Sequence, residues 1–513
     1  MARRRGHAIA GPLPDPNRRG QRDGTLEEQA HAHEVHASPA LEEAAQDEEG
    51  RQKGGAQEVA GRRPRELRSR PALTAALAAV EAVGEGRPLG PALAASLGDH
   101  PGLGPKERRH AAAAARGVAR WLRVCDAALV RAGATPSIAA DRALLRYLAW
   151  RVAVLGDPPA AVARELRLPG PRRPRAITDP ELSRVARSLP RPGPEGPLAA
   201  DANGRPLVAP SDPATALGLR RSVPDRFAAR LIAALGLEEA DACLAALNRD
   251  PPLTLRVNAA RASRTQLVAQ LREAGIRARE GAGGLSVVVE DRHGLFDAPP
   301  LRAGLAEVQD EGSQAVVDLC GARVGERWLD FCAGSGGKAI GLAAAGARVT
   351  AWDASPRRLA ALPRRAVRAG VRIAVARAEP DGAFDGVLVD APCSGSGALA
   401  REPDARWRAS DESVARFAAA QEEILARAAG RVRPGGALVY ATCSLFREEG
   451  EDVVERFLAR HPGFSLEARA RRWPHRDPGA GFFLARLLHN ERPGGGRRAG
   501  KAAQSGRPGR QRS

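Results

Sequence analysis

The sequence predicts a multidomain protein. Its C-terminal part should be an open, doubly wound, mostly parallel α/β sheet, preceded by a small α/β module and an all-α domain. Three observations carry this. The 513 residues exceed what one ordinary domain needs. Alanine- and leucine-rich stretches broken by glycine and proline fill residues 71–156. From about Val308 to Leu488, strand and helix signals alternate through WLDFC, VTAWD, VRIAVA, DGVLVD and ALVYAT, closing with GFFLARLL.

Taken in order, residues 1–70 are rich in Glu, Gln, Arg, His and Gly without periodicity, the composition of a disordered charged tail. His31, His33 and His36 fall there, where a disordered segment has nothing to hold metal ligands in place, so a solvated tail is the expected reading. Within residues 71–156, the stretches Leu73 to Val83, Lys106 to Leu122 and Ala139 to Leu155 form a helical bundle. Its Arg108, Arg109, Arg116, Arg120 and Arg123 either track phosphates or make up the wet face of the helices. Residues 157–220, with many prolines and glycines and few apolar clusters, read as a linker. Residues 221–307 hold a helix in PDRFAARLIAALG, a strand in LTLRVN and a capped amphipathic helix in SRTQLVAQLREAG, together a small α/β module. Arg256 and Asn258 at its strand end could face a nucleic acid, and an exposed strand terminus explains them equally well. Residues 308–490 form the doubly wound, Rossmann-like domain, and residues 491–513 a basic disordered tail.

Lys and Arg number 79 against 60 Asp and Glu, a formal charge of +19, which favours a polyanionic partner, nucleic acid first. The C-terminal tail inflates that total. Six cysteines with no C-x-x-C pair argue against a disulfide framework or a zinc site and for reduced thiols in a cytosolic compartment. MARRRGHAIAGPLPDPNRRG has no continuous apolar core of the signal-peptide kind, and no run approaches transmembrane length. The expectation is a soluble cytoplasmic protein with no membrane or metal partner and no evident obligate protein partner. Lys53, Lys106, Lys338 and Lys501 are the only lysines, which singles each of them out.

In open α/β sheets ligands bind beyond the carboxyl ends of the strands, so the loops there are where chemistry is sought. The first is Cys332-Ala333-Gly334-Ser335-Gly336-Gly337-Lys338, whose glycines let backbone amides approach a ligand at a helix start. A P-loop needs glycine where Cys332 stands and Ser or Thr where Ala339 stands, so that reading fails. A dinucleotide fingerprint is met by Gly334, Gly336 and Ala339, with Asp353 at the end of the next strand where a ribose-binding acid belongs. This indicates a nucleoside cofactor and leaves nicotinamide and adenosylmethionine both open. Lys338 suggests a compact ammonium beside the cofactor or a catalytic acid.

Two cysteines follow two different strands: Asp390 runs into Ala391-Pro392-Cys393-Ser394-Gly395, and Thr442 into Cys443-Ser444. If these strands are neighbours, their ends lie about 5 Å apart, and both thiols and Asp390 share one pocket. Cys125, Cys243 and Cys320, on helical stretches, read instead as small buried hydrophobes.

The DAPCSGSG, YATCS and FCAGSGGK segments resemble those of the Sun/Nop-type RNA cytosine-5 methyltransferases, in particular the RsmB-like bacterial ribosomal RNA branch. VQDEGSQ (Val308 to Gln314), REPDARW (Arg401 to Trp407) and GFF (Gly481 to Phe483) extend the likeness. The N-terminal helical region is similar to a NusB-like RNA-binding domain, and in all the resemblance covers roughly residues 71–155 and 221–488. It implies S-adenosyl-L-methionine as methyl donor, with Cys332 to Lys338, Asp353, Asp390 and an acid after the third strand, here Glu379, binding it. It implies that Cys443 attacks carbon 6 of cytosine, that Cys393 assists release, and that Asp390, with Lys338 beside it, stabilises charge near N3. The RNA implied is 16S ribosomal RNA; a transfer RNA, DNA cytosine, or an inactive role as an RNA-binding ribosome-assembly factor are the alternatives. Gly334-Ser335 replaces the alanine-proline common in the family, the stretch around Glu379 is shortened, and Pro363 should kink its helix.

Overall fold

The computed structural model describes residues 70–134, 139–166, 177–193, 196–203 and 210–491. Most of both expected tails, with His31, His33 and His36, lies outside the described residues.

The N-terminal part is all-α, with helices Arg70–Gly84, Leu89–Gly98, Pro105–Arg120, Leu122–Arg131 and Ala139–Ala149. Small residues set how closely these helices approach. Ala111, Ala114, Ala115 and Val118 share the buried face of one helix, and a Cβ on its Gly117 would meet the Trp150 ring at 2.3 Å.

The linker expected over residues 157–220 is corrected. Helices Pro159–Leu166 and Asp179–Ser188, then a hairpin of β1 (Arg191–Gly193) and β2 (Gly196–Ala200), continue the same domain. Val162, Leu166, Leu182, Val185, Leu189 and Leu198 enter the same core as the preceding helices. Proline and glycine content obscured a helical spacing of Leu182, Val185, Ala186 and Leu189, and a capping box in which Thr178 and Glu181 satisfy each other's backbone amides.

The small module follows helices Pro213–Arg221, Asp225–Leu235 and Leu237–Asn248. Its strands are β3 (Leu253–Val257), β4 (Ala278–Glu280), β5 (Ser286–Val289) and β6 (Ala306–Val308), antiparallel in the order β4-β5-β3-β6. Helix Arg264–Glu273 starts where the Ser263 hydroxyl accepts from the Gln266 amide at 3.2 Å, as its sequence predicts. Arg256 and Asn258 are neither exposed nor turned outward. Arg256 donates to the Gly341 carbonyl at 3.2 Å, and Asn258 to the carbonyls of Gly304 at 3.1 Å and Ala369 at 2.7 Å. They fasten the module to the larger domain, a distance in sequence that no local pattern reports.

The larger domain is a seven-stranded sheet of β7 (Arg327–Asp330), β8 (Arg348–Ala351), β9 (Ile373–Val375), β10 (Phe384–Asp390), β11 (Val432–Thr442), β12 (Phe464–Arg472) and β13 (Phe482–His489). The order is β12-β13-β11-β10-β7-β8-β9, parallel from β11 to β9 and antiparallel at β13 and β12. The chain reverses its direction of winding between β7 and β10, which opens the crevice of a doubly wound sheet there. Strand β12, in FSLEARARR, had no counterpart in the sequence reading because most of it is solvent-facing edge. At Pro363 the chain does not kink one helix but separates two, Pro356–Leu359 and Leu362–Ala369, with the proline in the first turn of the second.

One segment of the large domain clasps the helical one. Arg406, fully buried, donates to the carbonyls of Arg120 and Ser222, both at 3.1 Å, and to the Asn248 side chain at 2.8 Å. Next to it the Trp407 indole donates to the Ala119 carbonyl at 2.7 Å, and the Leu89 amide to Asp404 at 3.0 Å.

Candidate active site

Neighbouring strands β10 and β11 pair in register, Asp390 opposite Ala441, so the loops that leave them run side by side. The Sγ atoms of Cys393 and Cys443 lie 3.4 Å apart. Cys393 is held well above the usual thiol range, first because its hydrogen bond with Cys443 favours the protonated form and then by burial. Beside them Lys338 Nζ is 2.5 Å from Asp390 Oδ2 and 5.6 Å from the centre of the Phe482 ring, the middle residue of GFF. Burial pulls Lys338 down, but the charge and hydrogen bond of Asp390, with the charge of Asp330, together outweigh it and leave the ammonium above its ordinary range. The SGSG turn meets the GFF strand so closely that a Cβ on Gly397 would lie 2.2 Å from the Gly481 carbonyl. Both thiols, Asp390 and Lys338 are thus brought to one place.

The loop from Cys332 to Lys338 links β7 to helix Gly337–Ala344. Gly336 has φ +82°, and a Cβ there would strike Leu362 at 2.2 Å, so only glycine closes this turn. Asp353, buried, accepts from the amides of Gly334 and Ser355, both at 2.9 Å. The Ala333 amide is tied to the Trp352 carbonyl at 2.9 Å, and Ser335 receives Arg365 on its carbonyl and hydroxyl at 2.6 and 3.0 Å. Burial, then the Asp330 charge, push the Cys332 thiol far up, which makes it inert. Glu379 pairs with Arg427, which lies over the Trp352 ring, and, at 3.3 Å, with Arg431.

Two residues were missed by the sequence reading. Asp330, the last residue of β7, is 1% exposed, and neither of its carboxyl oxygens has a hydrogen-bond partner among the described residues. Burial, then the neighbouring Asp390, push its carboxyl up to about 7, and Lys338 and the nearby Cys332 amide offset only part of this. Its place in WLDFC, an acid ending a strand like Asp353 and Asp390, was the available signal. Arg358 lies 3.3 Å from Asp353 Oδ2, on the exposed side of the same crevice. Among the described residues no group of three or more His, Cys, Asp or Glu could hold a metal ion, and no helix is long and apolar enough to cross a membrane.

A doubly wound sheet with a glycine-rich loop after its first strand, an acid after its second and a cysteine pair beside the switch point, on the loops of β10 and β11, fits a methyltransferase domain. Residues 319–488 match the family model described as 16S rRNA methyltransferase RsmB/F, and residues 223–290 that of the ferredoxin-like domain of RsmF/B-like methyltransferases. These two segments are similar to RsmB/F-family domains, and they contain the motifs that carry the resemblance. Ribosomal RNA small subunit methyltransferase B of Yersinia pseudotuberculosis and its namesake in Yersinia pestis are each 35% identical over 268 residues, 48% of this chain. The chain spans 61% of the length of those relatives. The solved structure of PH0851 has the same fold, with a TM-score of 0.63 at 23% identity, covering 82% of this chain and 98% of that one.

Proposed function

We propose that this chain methylates carbon 5 of a cytosine in RNA, with 16S ribosomal RNA as the substrate, through a covalent bond between Cys443 and carbon 6. The observation that carries the reading is the pair of thiols 3.4 Å apart beside the ion pair of Lys338 and Asp390. Carbon 5 of cytosine is a weak nucleophile until a thiolate adds at carbon 6 and turns the ring into an enamine. Cys443 is the attacking thiolate in this scheme. Asp390 contacts the ring near N3, and the Lys338 ammonium that it holds there offsets the negative charge that attack develops. Once carbon 5 carries the methyl group, Cys393, in contact with Cys443, takes the carbon 5 proton as a base; the C–H electron pair restores the ring double bond, and the bond between carbon 6 and Cys443 breaks with its pair leaving on the Cys443 sulfur as thiolate.

The crevice fits S-adenosyl-L-methionine. Orphaned acceptors on buried Asp330, the glycine turn at Gly334 to Gly337 and Asp353 would hold it, and Asp390 borders it. Bound there, it supplies an electrophilic methyl group. Glu379 pairs with two arginines and keeps lone pairs with which to accept from the cofactor, as Asp353 does beside Arg358.

The RNA reading is supported by the charge of +19 and by the names of the matched family and relatives. The helical domain belongs to the same proposal, as a NusB-like RNA-binding element. Its Arg109 and Arg116 are exposed, whereas Arg108, Arg120 and Arg123 are occupied in holding backbone carbonyls. The target cytosine would be turned out of its stack to reach the thiols, in the cytoplasm where ribosomes are assembled.

Bisulfite sequencing of ribosomal RNA from cells lacking the gene, complemented with wild type, Cys443→Ala or Cys393→Ala, tests this. One 16S mark restored by wild type and not by Cys443→Ala is the expected result. An unchanged ribosomal pattern would overturn the 16S assignment and direct the search to transfer RNA or to a non-catalytic assembly role.

A further inference from the structure

A carboxylate that plays no part in the scheme above lies directly beneath both cysteines. Glu449 is fully buried, five residues after Ser444 in TCSLFREE. A buried carboxylate is tolerated only when donors replace its lost hydration, and here four do so. Oε1 accepts from the Ser394 amide at 2.8 Å and the Gln421 side chain at 3.3 Å. Oε2 accepts from the hydroxyls of Ser394 at 2.5 Å and Ser444 at 2.6 Å. Ser394 follows Cys393 and Ser444 follows Cys443, so one carboxylate grips the residue after each thiol. Glu449 is itself anchored, because its carbonyl accepts from the Tyr440 hydroxyl at 2.9 Å and the Thr442 hydroxyl at 3.0 Å, both on β11.

The two loops depend on it unequally. Cys443 continues directly from β11, whose Thr442 is paired with Phe483 on β13, and its carbonyl accepts from the Gly397 amide at 2.9 Å. Cys393 lies beyond the last paired residues of β10, past Pro392, which has no amide hydrogen to give. The amide directly after Cys393, that of Ser394, is spent on Glu449.

We propose that Glu449 is the positioning residue that sets the separation of Cys393 and Cys443, and that it acts mainly on the cysteine of the release step. This rests on the reading of Cys443 as nucleophile and Cys393 as release residue. Replacing the carboxylate with an amide puts a donor where hydroxyls donate. Cys393 then loses its register with Cys443, while Cys443 keeps its place in the sheet.

The test follows adduct and product separately on an unmodified 16S rRNA transcript with S-adenosylmethionine. For Glu449→Gln the SDS-resistant protein–RNA adduct should accumulate, its decay slowed about tenfold or more, with adduct formation changed by less than about threefold. A loss of stability alone would lower formation and decay together. Glu449→Gln combined with Cys443→Ala should give no adduct. Ser394→Ala, which removes one hydroxyl donor and leaves the carboxylate, should show the same bias more weakly, and it decides the matter if Glu449→Gln does not fold. Decay at the wild-type rate in the folded variants, with wild type active and Cys443→Ala dead, would overturn the proposal and leave the reaction intact. Absence of any adduct in Cys393→Ala, with the wild type active, would overturn the underlying reading, and this proposal with it.

Discussion

Lys338 Nζ sits 2.5 Å from Asp390 Oδ2, and this pair joins the glycine-rich loop of one strand to the cysteine-bearing loop of another. The ammonium does more than neutralise one acid. Asp390 raises the carboxyl of Asp330, so without Lys338 two acids would face each other across the crevice with no cation between them.

Replacing Lys338 with methionine should therefore lower kcat/KM for methyl transfer by about a hundredfold, the loss typical of removing one preorganised electrostatic partner. Lys338→Arg should restore little, because a planar guanidinium does not fit the space of a compact ammonium that is almost fully buried under Phe482. Steady-state incorporation of labelled methyl into RNA measures both variants. Wild-type kinetics in Lys338→Met would remove the pair from the mechanism.

Cys443→Ala should form no adduct and no product. Cys393→Ala should still form adduct but release it slowly, so that denaturing gels show RNA retained on the protein. The opposite assignment, with retention in Cys443→Ala, would make Cys393 the nucleophile.

Asp330 ties stability to pH. Its folded pKa is about 7 against 3.8 for a free Asp, so between these values the folded state keeps a proton that the unfolded chain has lost. Raising the pH through this window therefore destabilises the protein, by at most about 4 kcal/mol at 1.36 kcal/mol per unit. Asp330→Asn should flatten that slope. Urea unfolding of the cofactor-free protein at pH 5 and pH 8 measures it, and equal slopes for variant and wild type would contradict the assignment.

Arg406→Met removes a buried guanidinium and leaves the carbonyls of Arg120 and Ser222 without their donor. A loss of about 3 kcal/mol or more is expected in urea unfolding. The helical domain should also become easier to cleave from the rest by limited proteolysis. An unchanged unfolding midpoint and digestion pattern would show that the clasp contributes nothing.

The sheet was legible because parallel strands buried on both faces leave near-continuous apolar runs, as in Gly386 to Val389 and Ala437 to Ala441. The cysteine pair was legible because both thiols follow such runs, and pairing of β10 with β11 then brings them together. Asp330 escaped notice because its character comes from burial, which no single position reports. Residues 157–220 were misread because composition outweighed the spacing of a few leucines and valines. Arg256 and Asn258 resembled exposed polar residues for a related reason: their partners, Gly341 and Ala369, lie about a hundred residues further along the chain.

The clasp at Arg406 and Trp407 also bears on synthesis. Its acceptors at Ala119 and Arg120 are separated from their donors by 288 and 286 residues. A chain emerging N-terminus first therefore completes its helical domain long before those carbonyls can be satisfied, and the domain must wait with that face open to water or to a chaperone. Closure of the clasp comes only after Cys393 has been made, so every nascent chain with a docked helical domain already carries the first of the two thiols of the site.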